Sequence, residues 1–203
     1  MIGCIIQARM SSTRLHGKVM LKVENENTML DCVINQLQSS KEIKNIVIAT
    51  TDHKEDDVIV EFVKRRGMKY FRGSKKDVLD RYYQCAKKFG FSEIVRITAD
   101  NPLIDYEIVD TVAKYFKLNN YDYITTELPL NTFHHTYPSG YNVEVFTFSA
   151  LENAWKNAKL TSEREHVTPY FYKNNEIFKQ TSIENSEDLS RFNCTVNTKY
   201  DLE

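Results

Sequence analysis

The sequence predicts an α/β fold: one domain, residues 1–203, with a mostly parallel mixed sheet carrying helices on both faces. Three observations predict it. Short β-branched apolar runs alternate with segments of helical periodicity along most of the chain. That βαβα order calls for a parallel sheet covered by helices. The 203 residues suit one domain, and no linker, repeat or low-complexity tract divides them.

Residues 2–6 form the first strand, and a polar loop follows to Gly17. Residues 28–37 are helical, opened by Thr28 and Asp31 at capping-box spacing. Residues 46–50 make a buried strand, and 54–66 a helix stopped by Gly67. A short strand spans 69–72. Ser74 and Asp77 cap a helix that runs to Phe89 and ends at Gly90. Strand 94–98, helix 105–118 and strand 121–125 continue the alternation. The texture then changes: 128–140, with Pro129, His134, His135 and Pro138, reads as a long excursion. Residues 141–148 alternate like an antiparallel strand at the sheet edge. Helices 151–158 and 162–172 follow, then short strands near Phe178 and Cys194.

Composition removes several classes of function. Lys and Arg total 27 against 28 Asp and Glu, a net charge of −1, so there is no basic excess for duplex binding. With 41% hydrophobic residues the chain can bury a core, yet no apolar run approaches the roughly 20 residues of a membrane span. The N-terminus lacks the basic flank of a signal peptide. Cys4, Cys32, Cys85 and Cys194 form no CxxC pair, which favours reduced thiols in a cytoplasmic protein. No two of the six glycines lie two residues apart, so a G-x-G-x-x-G loop is excluded. A P-loop ending at Gly17-Lys18 would need glycine at Ser12 and a hydroxyl at Val19. No G-x-S-x-G occurs, and adjacent His134 and His135 would point apart in an extended loop, a poor metal pair.

Ligands of open α/β sheets bind beyond the carboxyl ends of the strands. Three segments there carry candidate chemistry. Loop 7–22 holds Arg9, Arg14, Lys18 and Lys22 with no carboxylate, and Ser11, Ser12 and Thr13 add hydroxyls. Such a loop suits a polyphosphate, or is a solvated basic loop. In Arg96-Ile97-Thr98-Ala99-Asp100-Asn101-Pro102-Leu103 a strand delivers Asp100 at its end, either to hold Mg²⁺ or to cap the next helix. Ser162 to Tyr170 combines a capping-box spacing, Ser162 with Glu165, with Glu163, Arg164 and His166, which could grip a polar or anionic acceptor.

The run Ile5-Ile6-Gln7-Ala8-Arg9-Met10-Ser11-Ser12-Thr13-Arg14-Leu15-His16-Gly17-Lys18-Val19 resembles the opening signature of the SpsF-like cytidylyltransferases, relatives of the CMP-sialic acid and CMP-Kdo synthetases. The likeness continues at 48–51, 71–74, 77–82, 96–105, 137–146, 163–170 and 195–198, in the family's order. It implies a Rossmann-like, glycosyltransferase-A-like nucleotidyltransferase fold and transfer of CMP from CTP to a small acceptor with release of pyrophosphate. It implies nucleotide contacts from Ala8, Arg9, Ser11, Ser12, Lys18, Thr50, Arg72, Gly73, Thr98 and Asp100, with Arg9, Arg14, Lys18 and Asp100 as the catalytic set. Mg²⁺ would sit on Asp100 and Asn197; Glu144, Glu163, Arg164 and His166 would face the acceptor. A phosphorylated sugar or polyol for surface polysaccharide synthesis is the expected acceptor. A keto-sugar acid, a glycosyltransferase reaction with a nucleotide-sugar, and a CTP-binding pseudoenzyme are the alternatives. Two positions depart from the pattern: His16 stands where the family has Pro, and Asn197 where it has Asp. Asn keeps an oxygen donor and loses the charge, so metal affinity should fall. Relatives run on into a further helix, so the C-terminus is expected to be truncated. Leu130 and Phe133 in the 128–140 excursion are candidates for a homodimer arm.

Overall fold

The computed structural model describes residues 1–24, 26–127 and 136–202. Its strands and helices in chain order begin with β1 (Ile2–Gln7), the small ribbon β2 (Lys22–Glu24) with β3 (Asn27–Thr28), and α1 (Met29–Gln38). Next come β4 (Ile46–Thr51), α2 (Asp57–Arg65), β5 (Lys69–Gly73) and α3 (Val78–Phe89). They are followed by β6 (Glu93–Thr98), α4 (Tyr106–Asn119), β7 (Tyr123–Thr125) and β8 (Glu144–Thr147). The series closes with α5 (Phe148–Asn157), α6 (Thr161–His166), α7 (Pro169–Lys173) and β9 (Gln180–Ser182). The seven-stranded sheet runs β5-β4-β1-β6-β8-β7-β9. The strands β5, β4, β1 and β6 are mutually parallel, and β8 is antiparallel to both its neighbours.

Strand alternation sends successive side chains to opposite faces and so divides the core in two. Cys4, Ile6, Ile48, Val95 and Ile97 pack with Val33, Ile59 and Val109, that is with α1, α2 and α4. Ile5, Val47, Ala49 and Ile94 pack with Leu79, Tyr82, Leu151 and Phe171 from α3, α5 and α7. The caps match the sequence. Thr28 Oγ1 accepts from Asp31 N at 3.1 Å while Asp31 returns a bond to Thr28 N, and Asp77 accepts from Asp80 N at 2.9 Å to open α3.

Three expectations need correcting. First, β8 lies inside the sheet, not at its edge. Its one charged residue, Glu144, sits opposite Arg96 on β6 and Thr125 on β7, and is buried there by an ion pair with Arg96 and a 2.7 Å hydrogen bond from the Tyr123 hydroxyl. The strand therefore alternates like a half-exposed one while both faces are covered. Second, the helix expected over 162–172 is two helices. Val167 adopts φ +72°, which no regular helix allows, and Pro169 restarts the turn without needing an N–H partner. The cap is also shifted: Glu163, not Glu165, accepts from the Leu160 N–H. Third, residues near Cys194 form only an isolated parallel bridge, Ser139 with Asn193. The 128–135 part of the long excursion, including Leu130, Phe133, His134 and His135, lies outside the described residues. Among those residues no helix is long and apolar enough to cross a membrane.

The 193–196 segment is what carries the C-terminal region to the sheet's carboxyl end. Cys194 N donates to Ser139 O at 2.7 Å, and Val196 N to Asp100 O at 3.2 Å. The contact requires Gly140. Its φ is +102°, and an added Cβ would lie 2.8 Å from the Cys194 carbonyl carbon. Gly140→Ala is predicted to lower unfolding free energy by about 1–3 kcal/mol, read from urea denaturation; unchanged stability would show that this segment is not held as described.

Candidate active site

The site is built where β1 and β6 end side by side, Gln7 in register with Thr98. Beyond β1, Ala8 N still pairs with Ala49 O, and the chain then turns sharply. Ser12 N and Gly17 N both donate to Met10 O at 2.8 Å, and Gly17 takes the left-handed conformation that closes the loop. Buried Asp56 anchors the loop from below, accepting from Met10 N at 2.7 Å and from the Thr51 hydroxyl. The loop returns inward at Lys18, which is only 6% exposed.

Lys18 is the centre of the arrangement. Its Nζ donates to Asp100 Oδ2 at 2.7 Å, to the Val196 carbonyl at 2.9 Å and to Asn197 Oδ1 at 3.1 Å. Burial alone would raise the Asp100 pKa; the Lys18 ammonium and hydrogen bonds from Lys18 and Thr98 outweigh it and hold the carboxyl below its usual range. Three oxygens, one from Asp100 just past β6 and two from the C-terminal segment (the Val196 carbonyl and the Asn197 side chain), thus converge on one cation. They are hard oxygen donors, the type that suits a Mg²⁺ ion otherwise satisfied by phosphates and water. The residues present therefore fit such an ion, with Asp100 as the charged donor and Asn197 as a neutral one. Among the described residues no group of three His, Cys, Asp or Glu could hold a metal unaided.

A cavity of about 170 Å³ opens beside Lys18, lined by Gln7, Ala8, Arg9, Ser12, Thr13, Arg14, Val19, Arg81, Thr98, Ala99 and Asp100. Four cationic side chains thus face one carboxylate among the described lining residues. The hydroxyls of Ser11 and Thr50 are buried without a hydrogen-bond partner among the described residues, and neither residue is in the cavity lining. The structure therefore brings Ala8, Arg9, Ser12, Arg14, Lys18, Thr98 and Asp100 together around one space. Thr50 and Arg72 lie next door, in register on β4 and β5. The Arg72 guanidinium is engaged by Thr51 O at 2.9 Å, His53 O at 2.8 Å and Asp57 Oδ1 at 2.6 Å, so it shapes the end of β4.

The expected acceptor residues do not form a single cluster. Glu144 belongs to the buried set with Arg96 and Tyr123, and burial together with the Glu144 charge pushes the Tyr123 phenol well up. Glu163 is buried under α6, with Lys173 3.9 Å away. Arg164 clamps α6 to α3, donating from Nε and Nη2 to Asp77 Oδ2 at 2.9 and 2.6 Å and from Nη1 to Trp155 O at 2.6 Å. His166 is exposed at the last residue of α6.

Two residues of this region, Asp56 and Arg81, carry no assigned role in the sequence. Arg81 stands only within the 77–82 likeness, on the buried stripe of α3 with Val78, Tyr82 and Cys85, and a charge on that stripe was the available signal. A larger cavity, about 650 Å³, lies beyond the 193–196 segment and is lined by Cys32, Asn35, Leu103, Tyr106 and Asp201 among others. It holds no cationic side chain among the described residues, and Asp201 is occupied by the Asn197 and Thr198 N–H groups.

The family model described as "Cytidylyltransferase" matches residues 3–203. The uncharacterized protein MJ1063 of Methanocaldococcus jannaschii is 44% identical over 98% of this chain and 79% of its own length. The spore coat polysaccharide biosynthesis protein SpsF of Bacillus subtilis is 32% identical over 98% of this chain and 82% of its own. The solved structure of a cytidylyltransferase from Leptospira borgpetersenii superposes with a TM-score of 0.92 at 38% identity, covering all of this chain and 83% of that one. With a cation-rich cavity at the paired ends of β1 and β6 and these full-span likenesses, the chain belongs to the cytidylyltransferase family of nucleotidyltransferases.

Proposed function

We propose that the chain transfers CMP from CTP to a small phosphorylated acceptor, a sugar or polyol phosphate, in the synthesis of a surface polysaccharide precursor. One observation supports this reading above the others: the cavity at the ends of β1 and β6 gathers Arg9, Arg14, Lys18 and Arg81 against one carboxylate, Asp100, among the described lining residues. The triphosphate lies along the 9–18 loop. An acceptor oxygen attacks the α-phosphorus in line, a new P–O bond forms, and the bond to the β-phosphate breaks. Pyrophosphate leaves with its charge balanced by Arg9, Arg14 and Lys18, fixed cations that need no reorganisation as charge develops. Asp100 and Asn197 are the residues that would hold a Mg²⁺ ion, which would supply Lewis-acid stabilisation of the transferring phosphoryl group.

The acceptor class follows from the proton. A sugar hydroxyl needs a base, whereas a phosphate monoester is already an anionic nucleophile at neutral pH. The described cavity lining offers no histidine, and its one carboxylate is held by Lys18. Arg164, expected to face an anionic acceptor, is instead engaged by Asp77. The SpsF likeness supports the polysaccharide setting.

Pyrophosphate release with CTP, UTP, ATP and GTP against sugar phosphates, polyol phosphates and keto-sugar acids tests the reading. CTP with a phosphorylated acceptor should give the product; preference for another nucleotide, or no pyrophosphate with any acceptor, contradicts it. Asp100→Asn keeps an oxygen for Lys18 and removes the charge; turnover should fall about 100-fold or more with the circular dichroism spectrum intact. Retained turnover would remove Asp100 from the chemistry. Asn197→Asp should lower the Mg²⁺ concentration giving half-maximal activity by about tenfold, since it adds a second carboxylate at the same point. An unchanged Mg²⁺ titration would show that Asn197 does not contribute.

A further inference from the structure

Arg81 carries more than its place in a helix explains. It lies in the first turn of α3, is 1% exposed, and still lines the cavity beside Arg9. Its Nη1 donates to Ser74 O at 2.7 Å, while Nε is buried and has no partner among the described residues. The nearby carboxylate, Asp56, is taken up by Met10 N and the Thr51 hydroxyl. Burial and the neighbouring Arg9 both act to lower the Arg81 pKa, with Tyr82, Asp56 and Cys85 opposing them. A buried guanidinium bonded to a carbonyl but to no anion is costly unless something else supplies the charge. The position is nonetheless built for it. Gly73 leaves room for the side chain, since a Cβ there would come within 3.1 Å of Arg81 Cγ and 2.9 Å of the Phe71 ring.

Building on the nucleotide reading of this cavity, we propose that Arg81 is a binding residue for the polyphosphate, supplied from α3 beside the cations of the 9–18 loop. The guanidinium edge that includes the unpartnered Nε can take phosphate oxygens side-on, the geometry in which arginine exceeds lysine. The phosphate thereby supplies the anion that this group lacks among the described residues.

The test is calorimetric binding of inorganic tripolyphosphate, CTP and cytidine, in EDTA, to the full chain and to its Arg81→Gln and Arg81→Lys variants. Tripolyphosphate and CTP should both bind the unaltered chain, and both should weaken by about 10- to 100-fold in Arg81→Gln, the loss of a charge-assisted contact. Arg81→Lys keeps the charge without the fork and should weaken both by a smaller factor; it carries the test if the Gln variant fails to fold. Variants that bind tripolyphosphate as tightly as the unaltered chain overturn the proposal. Loss of CTP binding with tripolyphosphate unaffected also overturns it, because Arg81 would then read the nucleoside. An unaltered chain that binds neither CTP nor tripolyphosphate overturns the nucleotide reading itself, and the Arg81 proposal with it.

Discussion

The Lys18 ammonium, buried between Asp100, the Val196 carbonyl and Asn197, is the contact on which the active end of the molecule depends. It joins three segments distant in sequence: the loop after β1, the end of β6 and the C-terminal segment. A buried ammonium needs a matched set of acceptors, because an unpaired one would cost several kcal/mol in desolvation. That requirement fixes the loop's inward return at Gly17 and the approach of residues 193–197 together. It also holds the Asp100 carboxyl below its usual pKa range at the cavity wall.

Around this contact the protein accumulates positive charge instead of neutralising it. Elsewhere several buried or half-buried charges are paired: Arg96 with Glu144, Arg164 with Asp77, Arg66 with Asp31. In the cavity, four cations meet one carboxylate among the described residues. The parallel sheet makes such a site economical to place, since the ends of β1, β4 and β6 open toward one crevice and the loops there are free to carry function. An anionic ligand bound there would recover the stability forgone at this point.

Much of this was legible in the sequence. The apolar alternation gave the order of strands and helices, and Thr28 with Asp31 and Asp77 marked helix starts by their own capping chemistry. The carboxylate-free run from Gln7 to Lys22 marked the cationic loop, and Asp100 stood at a strand end in both readings. What failed did so for non-local reasons. The interior position of β8 depends on Glu144 meeting Arg96, 48 residues away, a pairing no periodicity reveals. The break at Val167 reflects one left-handed residue, not a composition change. Arg164 looked like a ligand-binding cation because its partner, Asp77, is 87 residues distant. Arg81 stood in the 77–82 likeness without a role, because its burial beside the cavity depends on the distant loop after β1.

The most direct measurement is a structure of the chain with CTP and Mg²⁺. The account predicts the triphosphate against Arg9, Arg14 and Lys18 at the ends of β1 and β6, with the metal on Asp100. A nucleotide seated instead in the larger cavity beside Cys32 and Tyr106, with the Lys18–Asp100–Asn197 contact undisturbed, would contradict it.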